Sequence, residues 1–285
     1  MPTTRTGALL ALHGAVLLFG LAGLFGKWLD LPPVLIVLGR TTVAAAALAA
    51  LRAFRRTARL PFEPRLIGNG VLLALHWLAF FEAIRIANVA IGLLGYASFP
   101  LFVLVLERAL LGQRWARREV ATAVLVTCGL GLLVPEFSLA NPVVQGLAWG
   151  LVSGLTFALL AVANRSWAAG RPAIDIAFWQ NFWAALALVP LALAAGSMPA
   201  IGLSELGLLL VLGLVCTAFA HTLFIAALRT VTAHTASVIA ALEPVYGIVL
   251  ALLLLGEIPG WRTVAGAALI AGAAILASRR GARGA

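Results

Sequence analysis

The stretch Ala83–Ala123, AIRIANVAIGLLGYASFPLFVLVLERALLGQRWARREVATA, aligns without gaps with a second, related copy, Ala227–Ala267. The two copies share residues that alanine- and leucine-rich sequence does not readily align by chance, namely Arg85 with Arg229, Pro100 with Pro244 and Gly112 with Gly256. Both copies are apolar enough to cross a bilayer, and in each the proline lies near the middle of the apolar run. A duplicated membrane segment with a helix breaker at its centre is typical of secondary transporters.

The composition predicts a membrane protein. Of the 285 residues, 63% are hydrophobic and 11% are charged, and the mean hydropathy is +1.07. A soluble domain of this size does not bury so much apolar surface, so we predict an all-α polytopic membrane protein. The apolar runs are continuous, whereas an outer-membrane barrel shows alternating segments of about 10 residues. The formal net charge of +10 does not indicate a nucleic-acid partner, because the basic residues lie where membrane topology requires them.

The apolar runs divide into ten candidate transmembrane helices. A bilayer core about 30 Å thick needs about 20 apolar residues per helix. Dividing the chain at Pro, Gly, Arg and Asp gives helices over residues 7–28, 34–53, 66–87, 89–111, 119–134, 143–165, 173–195, 205–228, 232–255 and 260–278. The third and fourth helices, and the eighth and ninth, follow each other without a clear polar loop, and we predict turns at 85–88 and 229–234.

The basic residues predict how these helices are oriented. With a cytoplasmic N-terminus, 16 of the 20 Lys and Arg residues lie on the cytoplasmic side, and only Lys27, Arg85 and Arg262 lie outside. Cytoplasmic loops carry such an excess of positive charge. This distribution supports ten spans with both termini in the cytoplasm. The use of a single lysine is a bias of GC-rich bacterial genomes, so we expect the membrane to be a bacterial inner membrane. Because each half has five helices, the second half (143–285) is expected to be inverted relative to the first (1–135).

Short motifs add a resemblance to this topology. Between His221 and Leu276 the second copy contains ALRTVTAHTAS, LEPVY and LLLLGE, and the first copy keeps the same frame in FFEAIRIANVA, SFPLF and LLGQR. Over nearly the whole chain this pattern resembles the drug/metabolite transporter superfamily, specifically its EamA-type ten-helix exporters. The chain departs from that pattern at Gln113, a position where an acidic residue is usual. The equivalent residue of the second copy, Glu257, is acidic. The resemblance implies export of small metabolites by alternating access, with neutral and aromatic amino acids as the nearest substrates.

The duplicated helix breaks supply three candidate substrate-binding residues: Pro100, Glu243 and Pro244. Proline lacks an N–H and crowds the carbonyl four residues earlier, so we expect free carbonyls at Tyr96 and Ala240, either in a simple kink or as ligand-binding groups. A carboxylate at the depth of Glu243 is costly and suits proton coupling or capture of an amino group, the alternative being a structural hydrogen bond. Its counterpart in the first copy is Phe99.

The other candidates are a buried cation and a set of aromatic and polar residues. Arg40, within the second helix, either binds a substrate carboxylate or pairs with Glu82, and we favour the ion pair. The aromatic and polar set suits a cavity that binds an apolar side chain beside polar groups, although each single aromatic could equally pack against lipid or core. Its members are His76, Trp77, Phe80, Tyr96, Phe157, Trp179, Gln180, Asn181 and His221.

The sequence lacks the motifs of the common catalytic and metal sites. It contains no H-E-x-x-H, no Walker-type loop and no G-x-S-x-G, so we expect no enzyme activity, cofactor or metal. We expect two five-helix bundles that rock around a midplane cavity formed mainly by helices 1, 3, 4, 6, 8 and 9. The predicted function is export of neutral or aromatic amino acids. The alternatives are efflux of drugs or lipophilic cations and, from other classes, a membrane-embedded enzyme or a channel.

Overall fold

The structure is a computed structural model that describes residues 4–54, 63–111, 117–134, 138–168, 171–196 and 201–278. Gln113 and part of the expected connection between the halves at 135–142 lie outside the described residues. The helices are α1 (Arg5–Trp28), α2 (Pro33–Phe54), α3 (Arg65–Ile86), α4 (Val89–Tyr96), α5 (Phe99–Leu111), α6 (Arg117–Leu133), α7 (Pro142–Ala168), α8 (Ala173–Ala194), α9 (Leu203–Gly213), a π-helical segment (Leu214–Phe219), α10 (Ala220–Ala227), α11 (Ala233–Ala240), α12 (Glu243–Leu255) and α13 (Trp261–Ser278).

These elements form ten spans, and the predicted all-α polytopic architecture is confirmed. Spans 1, 2 and 3 are α1, α2 and α3; span 4 is α4 with α5, and spans 5, 6 and 7 are α6, α7 and α8. Span 8 is α9, the π segment and α10; span 9 is α11 with α12, and span 10 is α13. Among the described residues, seven helical stretches are long and apolar enough to cross a membrane, Val89–Ala109 and Leu203–Ala227 among them.

The two duplicated prolines begin new helices and do not kink continuous ones. Span 4 is interrupted between α4 and α5, and span 9 between α11 and α12, in each case just before the proline. Pro100 and Pro244 therefore occupy the second position of α5 and α12, where the missing N–H removes no intrahelical hydrogen bond. The alternative of a simple kink does not describe these breaks, because α4 ends at Tyr96 and α11 at Ala240, four residues before each proline.

The break in span 4 places one backbone carbonyl against a neighbouring helix. Ala97 N–H bonds the carbonyls of Leu93 and Leu94, and the N–H groups of Leu101 and Phe102 both bond the carbonyl of Ser98. Among the described residues, none of these turn bonds ends on the Tyr96 carbonyl. That oxygen lies against α7, because a Cβ added at Gly154 would come within 3.1 Å of it.

Contacts between the spans follow a pattern that repeats after five spans. Spans 2 and 7 pack together, as do spans 5 and 10. Span 6 packs on spans 3 and 4, and span 1 packs in the same way on spans 8 and 9. Span 3 also packs on span 7, and span 8 on span 2. Each of these pairings therefore has a counterpart when each span is exchanged for the one five places along the chain.

Two of these crossings depend on glycine. Between α4 and α7, a Cβ on Gly150 would lie 2.7 Å from the Cα of Gly95. Between α1 and α12, a Cβ on Gly20 would lie 3.0 Å from the backbone nitrogen of Gly247. Small residues let membrane helices approach closely enough for extensive van der Waals contact. These crossings hold spans 4 and 9, which carry the helix breaks, against spans 6 and 1.

Candidate substrate-binding site

A central cavity of about 20 Å³ lies where the broken spans meet the rest of the bundle. That volume is about the room that one water molecule needs. The lining comes from spans 1, 2, 3, 4, 6, 8 and 9 and consists of Phe19, Ala22, Arg40, His76, Trp77, Phe80, Tyr96, Phe157, His221 and Glu243. Eight of the candidate residues from the sequence, Arg40 included, are among these side chains.

The other five candidates, Gln180 among them, do not line the central cavity. Pro100 and Pro244 follow Phe99 and Glu243 at the second position of α5 and α12. Trp179 packs against other rings of α8, with centroids 5.0 Å from Phe178. Asn181 is buried, and its amide donates to the carbonyl of Ala177 at 2.8 Å.

Arg40 is the main correction to the predicted site. Its favoured partner, Glu82, is instead paired with Arg85 one turn further along α3, with 2.9 Å between Arg85 Nε and Glu82 Oε2. The predicted Arg40–Glu82 ion pair is therefore wrong. Arg40 is only 1% exposed and faces the central cavity from span 2, which sequence reasoning had left out of the cavity.

The guanidinium of Arg40 is held between the π segment and an aromatic ring. Its Nε donates to Thr217 Oγ1 at 2.9 Å, and its Nη2 donates to the carbonyl of Cys216 at 3.4 Å. Thr217 in turn donates to the carbonyl of Leu212 at 2.7 Å. The guanidinium carbon lies 3.9 Å from the ring centroid of Trp77, within the range of a cation–π interaction. Arg40 is therefore fixed in position without a carboxylate partner among the described residues.

His76 is fixed on the opposite side by span 6. Its Nδ1 lies 2.9 Å from the hydroxyl and 3.1 Å from the carbonyl of Ser153. The imidazole packs among aromatic rings, with centroids 4.6 Å from Phe157 and 5.4 Å from Tyr96. Such contacts stabilise a ring orientation that places polar nitrogen atoms beside an apolar surface.

His221 belongs to a chain of polar side chains that crosses three helices. Its Nε2 lies 3.0 Å from Gln180 Oε1, and the Gln180 amide donates to Asn164 Oδ1. Its ring centroid lies 5.9 Å from that of Trp77. His221 Nδ1 is buried and has no hydrogen-bond partner within the part of the chain that the structure describes.

Glu243 brings a second unpartnered acceptor to the cavity. It is 3% exposed, and its Oε2 makes no hydrogen bond to any described residue. An unpaired buried polar atom costs about 1–3 kcal/mol, so this oxygen is a candidate ligand-binding atom. The described residues contain no cluster of three or more His, Cys, Asp or Glu side chains placed to hold a metal ion.

Comparison with known proteins assigns the family. The sequence profile of the EamA-like transporter family matches residues 5–134 and, separately, residues 144–279. The chain belongs to the EamA-like transporter family. It is therefore a multi-pass membrane transporter, and the EamA resemblance of its motifs is confirmed.

Individual relatives are similar to this protein in sequence or fold over most of the chain. The chain is 31% identical to the protein named pseudopaline exporter CntI of Pseudomonas aeruginosa over 76% of this chain and 75% of that protein. It is 27% identical to Protein RarD of Salmonella typhi over 90% of this chain and 89% of that protein. A solved crystal structure covers 98% of this chain with a TM-score of 0.75 and 22% identity, which supports the fold alone.

Proposed function

We propose that this EamA-type transporter exports neutral amino acids, with a preference for aromatic side chains, across the bacterial inner membrane. One observation carries the proposal: the guanidinium of Arg40 and the carboxyl group of Glu243 line the same small cavity among aromatic rings. A free amino acid is a zwitterion, so it needs a cation for its carboxylate, an acceptor for its ammonium group and an apolar surface for its side chain.

Arg40 is the proposed carboxylate-binding residue. A guanidinium has five N–H donors, and its contacts with Thr217 and Cys216 use two of them. The remaining donors are available to the cavity, and a planar guanidinium binds a carboxylate with well-defined geometry. Among the described residues no carboxylate forms an ion pair with Arg40, although Glu243 lines the same cavity, so a substrate carboxylate could bind the guanidinium directly.

Glu243 is the proposed partner of the ammonium group, and the aromatic rings are the proposed surface for the side chain. Phe80, Tyr96 and Phe157 meet at one wall, where the Phe80 and Tyr96 centroids are 6.0 Å apart and those of Tyr96 and Phe157 are 5.6 Å apart. An aromatic side chain gains contact area and favourable edge-to-face geometry against such a wall.

Alternating access would open this cavity to each side in turn. At about 20 Å³ it has no room for an amino acid, so binding requires the bundles to move apart. At one end of the bundle, Arg52 pairs with Asp175 at 2.6 Å, and Arg165 donates to the Leu228 carbonyl at 2.6 Å. The opposite end has two larger openings, of about 600 Å³ and 260 Å³. We propose that the paired end is cytoplasmic and closed in this conformation.

The inverted repeat is part of the proposal. The family profile matches each half separately, and the packing between spans repeats after five spans. Both observations support two bundles, 1–135 and 143–285, that rock about the central cavity. The excess of arginine at the proposed cytoplasmic end supports cytoplasmic termini. Export as the direction is supported by the name of the exporter relative, and Glu243, which is Phe99 in the first half, is the candidate for proton coupling.

Transport by purified protein in liposomes tests the proposal. Labelled phenylalanine should accumulate with saturation, and unlabelled tryptophan should compete. Glu243→Gln should weaken saturable phenylalanine flux and its inhibition by tryptophan about tenfold or more, whereas Glu205→Gln, in the first turn of α9 and outside the cavity, should leave both unchanged. Saturable flux that both Glu243→Gln and His76→Ala leave intact would show that the cavity is not the binding site.

Efflux of lipophilic cations is the second candidate function. The unpartnered oxygen of Glu243 beside aromatic rings favours it, since such rings bind cations without hydrogen bonds. Arg40 in the same cavity opposes it, because a bound cation would face a buried positive charge. Competition by tetraphenylphosphonium, together with no competition by any amino acid, would favour this function. Product formation in detergent, without vesicles, would instead indicate an enzyme.

A further inference from the structure

We infer that Asn164 and Gln180 fix the orientation and tautomer of His221, so that His221 Nδ1 and Glu243 Oε2 form a two-acceptor subsite for an ammonium group that carries N–H bonds. The inference rests on the proposed function, since it assigns one end of the amino acid to these atoms. It goes further by naming two positioning residues outside the cavity and by excluding a class of cations as substrates.

The tautomer follows from the direction of the hydrogen bonds. A glutamine side chain has one NH₂ donor group and one carbonyl acceptor. The NH₂ group of Gln180 donates to Asn164 Oδ1, which leaves Gln180 Oε1 to face His221 Nε2 at 3.0 Å. Because Oε1 can only accept, His221 must carry its proton on Nε2. In the neutral imidazole the other nitrogen, Nδ1, is then an acceptor.

The two acceptors have no donors among the described residues. His221 is 1% exposed and Glu243 is 3% exposed, and both line the central cavity. His221 Nδ1 and Glu243 Oε2 are both buried without a hydrogen-bond partner. Leaving such atoms unpaired is unfavourable, and a site built to bind N–H groups rejects analogues that lack them.

The chemistry of the ligand follows from this pairing. A primary ammonium group presents three N–H donors and can satisfy both acceptors at once. A trimethylammonium group has none, so it would leave both acceptors unpaired, and its three methyl groups would also need more space. We therefore assign the subsite to primary amines and exclude quaternary ones, although both carry one positive charge.

Two variants separate positioning from packing. Gln180→Met keeps the length of the side chain but removes both polar atoms, so it frees His221 to rotate or change tautomer. Asn164→Asp keeps an oxygen that accepts from the Gln180 amide and should preserve the chain. Should Gln180→Met fail to fold, Asn164→Leu removes the anchor of Gln180 and serves the same purpose.

The first readout is spectroscopic and does not require transport. With ¹⁵N-labelled histidine, the His221 signal is identified by its loss in His221→Gln. The inference expects an unprotonated Nδ1 and a protonated Nε2 in the unaltered protein and in Asn164→Asp, and an altered pattern in Gln180→Met. A protonated Nδ1 in the unaltered protein would overturn the inference.

The second readout is selectivity, measured as competition by tryptophan and by its N,N,N-trimethyl derivative. Loss of one hydrogen bond to a charged group corresponds to about tenfold or more in affinity. Gln180→Met should therefore lower the preference for tryptophan about tenfold, whereas Asn164→Asp should retain it. Equal competition by the two compounds in the unaltered protein would overturn the inference and leave amino-acid transport standing. Absence of competition by any amino acid would contradict the proposed function itself, while the tautomer would still be read from the spectrum.

Discussion

Replacing Arg40 tests whether this buried cation binds the substrate or serves the fold alone. Arg40→Met removes the charge and the hydrogen bonds to Thr217 and Cys216. Thr217 Oγ1 and the Cys216 carbonyl then each lose a side-chain donor, although Thr217 keeps the bond that it donates to the Leu212 carbonyl. The cation–π contact with Trp77 is lost as well, and together these losses should cost about 2–5 kcal/mol of stability.

The effect on binding is separate from the effect on stability. A hydrogen bond to a charged group contributes about 1.5–3 kcal/mol, and 1.4 kcal/mol is tenfold in affinity. If Arg40 holds the carboxylate, tryptophan should compete about tenfold to a hundredfold more tightly than tryptamine, which lacks that group. In Arg40→Met the ratio of the two inhibition constants should fall towards one.

Competition against labelled phenylalanine in liposomes measures this ratio. Both inhibition constants come from the same preparation, so any loss of folded protein cancels in the ratio. Arg40→Lys keeps a charge but not the planar donor fork and should give an intermediate ratio. Arg229→Gln, at an exposed position after α10, is the matched control and should change nothing. A tryptophan-to-tryptamine ratio that Arg40→Met leaves unchanged would show that Arg40 only supports the π segment.

Three further outcomes are expected. Asp175→Asn weakens the ion pair with Arg52, so cysteines introduced into the cavity lining should react faster with a thiol reagent added from the cytoplasmic side. An unchanged rate of labelling would contradict our assignment of the closed end. Gly150→Val places a side chain against the backbone of α4 and should lower the melting temperature by an amount equivalent to about 1–3 kcal/mol or more. Gly14→Ala should not, because no atom lies within 4 Å of the added Cβ, and equal melting temperatures for the two variants would argue against the close crossing. Glu243→Gln should remove any stimulation of flux by a pH gradient, and stimulation that persists would assign coupling to another group.

The spans could be predicted from the sequence because each is a continuous apolar run of about the length of a bilayer. Interruptions within the spans were harder to predict. Proline marks the breaks in spans 4 and 9, but the chain leaves the helix before Pro100 and Pro244 because proline is tolerated in a first turn. The π segment in span 8 contains no proline and carries no comparable signal, although it holds Arg40.

The sequence predicts how deep each residue lies in the membrane, but not which residues of different helices lie close together at that depth. His76, Trp77 and Glu243 lie at similar depth on helices that face one centre, and they meet there. Trp179 does not meet them: its ring lies 5.5 Å from the guanidinium of Arg52, which is in the last turn of α2. The offset that aligns Ala83 with Ala227 also aligns Trp77 with His221, and the rings of these two residues lie 5.9 Å apart.

The preference for Arg40 with Glu82 failed for a local reason. Arg85 lies three residues after Glu82 on the same helix, so it reaches that carboxylate without help from tertiary structure. Arg40 therefore faces the cavity together with the carboxyl group of Glu243, and the proposed function depends on this arrangement.

A competition panel in liposomes, with and without a pH gradient, tests the central proposal most directly. The panel would contain neutral amino acids, their decarboxylated and deaminated analogues, and tetraphenylphosphonium. We expect saturable phenylalanine flux that tryptophan inhibits strongly, and that analogues lacking either charged group inhibit at least about tenfold more weakly. Flux that tetraphenylphosphonium inhibits and that no amino acid inhibits would contradict amino-acid export.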